Sequence, residues 1–171
     1  MQLYGNGPDT TNFYVPNIAG GTAHVKVYGN IMSLLDEDNY ANLTTLPNGS
    51  FANFAGLFSE NENLTDASGL LLPATTLAGF CYFGMFAGCT SLTTAPALPA
   101  TELAGGCYSG MFAGCTSLNS VTCLATDISA SDCTTGWLEG VATTGTFTKA
   151  SGSTWPEGSN GIPSGWTVNE Q

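Results

Sequence analysis

Cys81–Leu92 reads CYFGMFAGCTSL, and Cys107–Leu118 reads CYSGMFAGCTSL. Laying Phe80–Gly105 over Gly106–Ser131 gives 13 identities in 26 positions. A period of this length marks units that stack, each burying its apolar face against the next. Working outward, Leu72–Gly79 (LPATTLAG) and Leu98–Gly105 (LPATELAG) differ at one position. Weaker copies precede them. Leu34-Leu35 with Leu43-Thr44-Thr45-Leu46 aligns with Leu57-Phe58 and Leu64-Thr65-Asp66-Ala67, then with Met85-Phe86 and Leu92-Thr93-Thr94-Ala95. Taking Leu46, Ala67, Ala95 and Val121 as equivalent gives spacings of 21, 28 and 26.

Within a unit, Cys81, Met85 and Phe86 fall at i, i+4 and i+5, and Tyr82 is four residues before Phe86. That spacing predicts one to two helical turns with an apolar face, closed by Gly88. Leu92–Ala95 predicts a short strand, kept short by Pro96 and Pro99, which lack the ladder donor. The fold class expected is therefore α/β. It is a short solenoid with parallel short strands on one face, helical turns on the other and a cap at each end. Residues 1–30 are the N-terminal β-hairpin cap, with arms Phe13–Val15 and Thr22–Tyr28. Residues 31–141 are the solenoid, and 142–171 a final strand with a Trp/Pro/Gly cap. In the last unit Trp137-Leu138 replaces Met111-Phe112, and Trp155 and Trp166 shield the last core layer.

The string MFAGCTSL at Met85–Leu92 and Met111–Leu118 resembles the BspA-type leucine-rich repeat, over about Met32–Val141. Leu72–Ala78 and the ending Gly161–Val168 resemble the variant common in gut Bacteroidetes and their phages. The resemblance implies that the α/β stack is a right-handed leucine-rich-repeat solenoid, and that it is an extracellular, cell-surface or virion-associated adhesion module. It brings no catalytic residues. Asn61 and Val141 depart from the repeat cysteine, so no relative's ligand transfers.

Composition narrows the function classes. There are 13 acidic and 2 basic residues, a net charge of −11, and charged residues make up 9%. Nucleic acid and anionic membrane surfaces both call for Lys/Arg patches, which this chain lacks. Acidity here serves solubility by self-repulsion. No stretch reaches the ~18 apolar residues of a membrane span, and Met1–Leu3 opens no signal peptide. If the natural protein is exported, this chain is a mature portion or fragment of it.

Candidate chemistry is sparse. Of six cysteines, Cys81, Cys107 and Cys133 form one column up the stack and Cys89 and Cys115 a second, leaving Cys123. Parallel Cβ directions in a column disfavour disulfides, so buried thiols are expected. No C-x2–4-C pair points to zinc. His24 is the only histidine and sits on the polar side of its strand, so no Ser-His-Asp arrangement can be built. Asp36-Glu37-Asp38 and Glu60/Glu62 fall at matching points of successive units. They read as a solvated edge, with calcium as the sharper alternative. Asp36/Glu60 or Asp38/Glu62 could reach glycosidase separations, but nothing separates their pKa values. Gly20-Gly21 and Gly105-Gly106 match no phosphate loop, and Asn42-Leu43-Thr44 and Asn63-Leu64-Thr65 match the glycosylation acceptor.

The expectation is a non-enzymatic module with no cofactor and no metal, monomeric in isolation, presenting a repeat surface to a protein or glycan. The outward strand positions would be Thr45, Asp66, Thr94, Pro96, Ser120 and Thr122. Phe83-Gly84 and Ser109-Gly110 on the opposite wall are the other reading face. The alternative is a structural cap or spacer of a larger surface or phage-fibre protein.

Overall fold

The computed structural model describes residues 23–47 and 54–171. Among these residues five strands form: β1 (Val25–Asn30), β2 (Leu64–Leu71), β3 (Ser120–Cys123), β4 (Thr146–Lys149) and β5 (Thr167–Glu170). All pair in parallel, as a two-stranded sheet β1-β2 and a three-stranded sheet β3-β4-β5. Single-residue bridges at Thr94 join them, to Asp66 on one side and Ser120 on the other. β1 thus finds its partner in β2. The arm Phe13–Val15 expected to pair with it lies outside the described residues.

The expected right-handed leucine-rich-repeat solenoid with helical turns does not form. The units stack, but as two small parallel sheets without solenoid closure. Among the described residues only two short 3-10 helices occur, Ile31–Leu34 and Tyr40–Asn42. Gly79–Gly88, where the helix was expected, is a run of turns. The expected strand at Leu92–Ala95 contracts to the bridge at Thr94.

The reason lies in how the amides are shared. The N–H groups of Phe80, Tyr82, Gly84, Phe86 and Gly88 donate to carbonyls of the next unit: Gly105, Cys107, Ser109, Met111 and Ala113. The N–H groups between them, from Cys81 to Cys89, donate three residues back within their own unit. The same alternation links Gly106–Gly114 to Ser131–Glu139, and Phe54–Glu60 to Cys81–Ala87. An α-helix would spend every amide on its own i−4 carbonyl. Here every second donor leaves the unit, so a helix cannot close. The backbone turns instead by entering the left-handed region every fourth residue, at Phe80, Gly84 and Gly88 with φ of 55°, 56° and 74°. The next unit repeats this at Gly106, Gly110 and Gly114.

Side chains follow the resulting period of four. Cys81, Tyr82, Met85, Phe86 and Cys89 are all buried, as are Cys107, Tyr108, Met111, Phe112 and Cys115. Equivalent rings then lie on one another. Phe58, Phe86 and Phe112 stack at 5.3 and 5.4 Å. Phe54, Tyr82, Tyr108, Trp137 and Trp155 form a second ladder at 5.3–6.3 Å. Trp137 donates to the Gly161 carbonyl and Trp166 to that of Ala142, so two of the three indoles that close the last layer have satisfied N–H groups, and Trp155 does not.

One sequence equivalence is corrected. Leu46 does not share a column with Ala67, Ala95 and Val121. Its N–H donates to the Thr76 carbonyl, and Thr45 bridges Thr76. Thr44-Thr45-Leu46 therefore matches Thr75-Thr76-Leu77, and β1 is the strand that matches β2.

All six thiols are free and buried. Cys89 donates to the Phe58 carbonyl and Cys115 to that of Phe86, both at 3.0 Å, so this column ties each unit to the one before. Asn61 extends the column as a buried residue whose Oδ1 has no hydrogen-bond partner among the described residues. Burial pushes the Cys81, Cys89 and Cys123 thiols from 9 up to about 12. Burial also raises Cys107, Cys115 and Cys133.

Gly110 has φ of 61° and nothing within 4 Å of the place a Cβ would occupy, so Gly110→Ala tests the backbone alone. Urea unfolding should show a loss of about 1–2 kcal/mol, the cost of an L-residue in the left-handed region. An unchanged midpoint would contradict the turn wall. For the thiols, the folded chain keeps protons that the unfolded chain releases above pH 9. Stability is complete below pH 9 and should fall as pH rises through about 12, measured by urea midpoints across that window. Native protein at pH 8 should resist iodoacetamide at all six cysteines, and denatured protein should react at all six.

Candidate recognition surface

The strand face carries one continuous row. Lys26 pairs with Asp66, Asp66 with Thr94, Thr94 with Ser120, Ser120 with Thr146 and Thr146 with Thr167. Neighbours in such a row are ~4.8 Å apart, the strand spacing. A second row, Thr122–Thr148–Asn169, runs beside it two residues along the strands. Between the rows lies the inward-facing line Val121–Phe147–Val168, of which Val121 and Phe147 are buried. Alternation along each strand thus directs hydroxyls and one amide outward. The face is close to neutral, because Lys26 and Asp66 pair at 3.2 Å.

Of the outward positions read from the sequence, Asp66, Thr94, Ser120 and Thr122 lie on this face. Thr45 does not; its rung is with Thr76. Pro96 is buried. Four positions separate Thr94 from Leu98, but only three separate their partners Ser120 and Cys123. The extra residue is absorbed around Pro96, which turns off the face. Thr146, Thr148, Thr167 and Asn169 were missed. The alternation in Thr146-Phe147-Thr148 and Thr167-Val168-Asn169 was the available signal, hidden by an ending that keeps little of the repeat string.

The opposite wall exposes Phe80 and Phe83, 44% and 46%, with ring centroids 6.1 Å apart. Phe80 lies over Gly106, where a Cβ would come within 2.4 Å of the ring. Ser109 spends its hydroxyl on the Thr135 carbonyl. Hydroxyls at Thr65, Thr93, Thr116 and Thr126 likewise have a structural duty, each donating to a carbonyl of the preceding unit.

The acidic groups build turns. Asp36 accepts from the N–H groups of Asp38 and Asn39, and these bonds, Asn39 first, hold its carboxyl below the usual range. Ser68 does the same to Asp66, through side chain and backbone, and Ser129 to Asp127. Among the described residues no three His, Cys, Asp or Glu side chains come together to hold a metal. Glu102 and Asp127 occupy one bridge, a carboxylate pair the sequence did not single out, and both are exposed. His24 is exposed at the start of β1. No helix of the described residues is long and apolar enough to cross a membrane.

No protein-family model matches the chain, and comparison with curated proteins and with solved structures finds no similar one.

Proposed function

We propose that the chain is a non-enzymatic binding module that presents the strand face to a protein or glycan partner outside the cell or on a virion. The supporting observation is the pair of outward rows, Asp66–Thr94–Ser120–Thr146–Thr167 and Thr122–Thr148–Asn169. Short hydroxyl side chains on a parallel ladder lose little rotamer freedom on docking and offer both donors and acceptors. A flat, polar surface of this kind suits an extended partner more than a small apolar ligand. The resemblance of Met85–Leu92 and Met111–Leu118 to BspA-type repeats supports adhesion as the class of activity, and the surface or virion setting with it. The chain acts as a monomer in this reading, since its net charge of −11 opposes self-association.

A second reading, a spacer or cap in a larger surface or fibre protein, draws support from β5. All four of its residues are exposed, and β4 covers one of its edges.

The test compares binding of the parent and two variants to a glycan array and to immobilised host-surface glycoproteins. The first variant carries Thr94→Lys, Ser120→Lys and Thr146→Lys; the second carries Phe83→Ser. The strand-face triple should lose binding at least about tenfold, a difference of ~1.4 kcal/mol. Phe83→Ser should bind as the parent does. Loss confined to Phe83→Ser would move recognition to the turn wall, and no binding by the parent would favour the spacer.

A further inference from the structure

We propose that the cleft between Trp155 and Trp166, at the end of the stack, binds a single neutral pyranose sugar. The cleft has a volume of about 320 Å3. That is the low end of ligand pockets, enough for one sugar ring and too small for a folded partner. Lys149, Ser153, Glu157 and Ser164 line it together with the two indoles.

Both indoles are held in place by the fold. Trp155 stacks on Trp137 at 5.3 Å and 16°, and meets Phe147 edge-on at 5.3 Å and 64°. Trp166 donates to the Ala142 carbonyl at 2.8 Å and packs over Gly145, where a Cβ would come within 2.7 Å of the ring. Such rings need no ordering when a ligand arrives. Trp155 is only half buried, and its Nε1 has no hydrogen-bond partner among the described residues.

The polar groups select the class of ligand. Lys149 is fixed by the Ser153 carbonyl at 2.6 Å and by Glu170 at 2.5 Å, which places an ammonium at the cleft wall. Glu170 balances that charge, so the ammonium acts at the wall as a hydrogen-bond donor. Glu157, in a chain of net charge −11, opposes an anionic ligand. A neutral molecule with an apolar face for an indole and a rim of hydroxyls uses each of these groups. Those hydroxyls would donate to Glu157 and accept from Lys149 and Ser164. A pyranose ring has that division between its C–H face and its edge. The site is separate from the strand-face rows and stands or falls without them.

The test is titration of the full chain, followed by tryptophan fluorescence and by backbone amide NMR. The probes are methyl α-mannopyranoside, methyl β-glucopyranoside, methyl β-galactopyranoside and N-acetylglucosamine, with choline chloride and sodium phosphate as charged counterparts. At least one sugar should saturate with a Kd of about 1–10 mM, as a single small ring allows. Its shifts should cluster within residues 149–168. Ser164 is exposed, so Ser164→Phe should fill the cleft and abolish the response while the circular dichroism stays that of the parent. Glu102→Gln, an exposed position outside both the cleft and the strand-face rows, should change nothing. The proposal is overturned by no saturable response to any of the four sugars, by shifts confined to the strand face, by unchanged binding in Ser164→Phe, or by choline or phosphate binding in place of sugar.

Discussion

The division of backbone donors between a unit and its neighbour governs this molecule. Along the turn wall each even-numbered N–H from Phe80 to Gly88 crosses to the next unit, and each odd-numbered one folds back three residues. No amide in the run is left over, so the wall satisfies its buried backbone without regular helix or sheet. The constraint is strict. Crossing bonds require equal advance in both units, which makes insertions intolerable in the wall. The strand side tolerates them: rungs from Lys26 to Thr167 are separated by 40, 28, 26, 26 and 21 residues.

The left-handed conformation every fourth residue is the geometric consequence, and it explains which residues occupy the wall. Gly84, Gly110 and Gly136 share one column of positive φ, and Gly88, Gly114 and Gly140 another. Glu60 stands in the second column with φ of 59°, and its carboxyl lies where a Cβ on Gly88 would be, within 2.7 Å. In later units a Cβ would make ordinary contact, 3.7 Å from Gly88 for Gly114 and from Gly114 for Gly140, so the positive φ itself is what favours glycine there.

The stacking of units was legible in the sequence, and its local form was not. The pairs Cys81-Tyr82 and Met85-Phe86 differ from a helical stripe only by the gap between a period of 4 and one of 3.6, which two turns do not separate. The deciding signal was glycine at both Gly84 and Gly88, four apart within the supposed helix. A helix interior accepts one such glycine at a cost of ~1 kcal/mol, but a repeated pair at the turn period signals a backbone that needs positive φ. The register of the first unit was missed because Leu43-Thr44-Thr45-Leu46 matches Leu92-Thr93-Thr94-Ala95 in type. The closer identity, Thr44-Thr45-Leu46 with Thr75-Thr76-Leu77, pointed to the structure's pairing. The cleft between Trp155 and Trp166 arises from chain returning over Gly145, a contact that no local pattern encodes.

The unusual composition follows from the same stacking. When equivalent residues lie on one another at the strand spacing, a charge placed in a repeat meets its own copy above and below. Like charges directly opposite on neighbouring strands are destabilising. A parallel stack of near-identical units therefore favours residues that gain from meeting themselves: aromatic rings, small aliphatics, and hydroxyls that donate to the carbonyl of the preceding unit. The two basic residues of the chain follow the rule by position. Lys26 shares its rung with Asp66 and Lys149 shares its rung with Glu170, each beside an opposite charge. The rung Glu102–Asp127 joins like charges, and it is tolerable because both residues face solvent and Asp127 accepts from the Ser129 N–H. Low charge in this chain is thus a condition of building it from copies. The neutral hydroxyl face is what that condition leaves on the outward side of the strands.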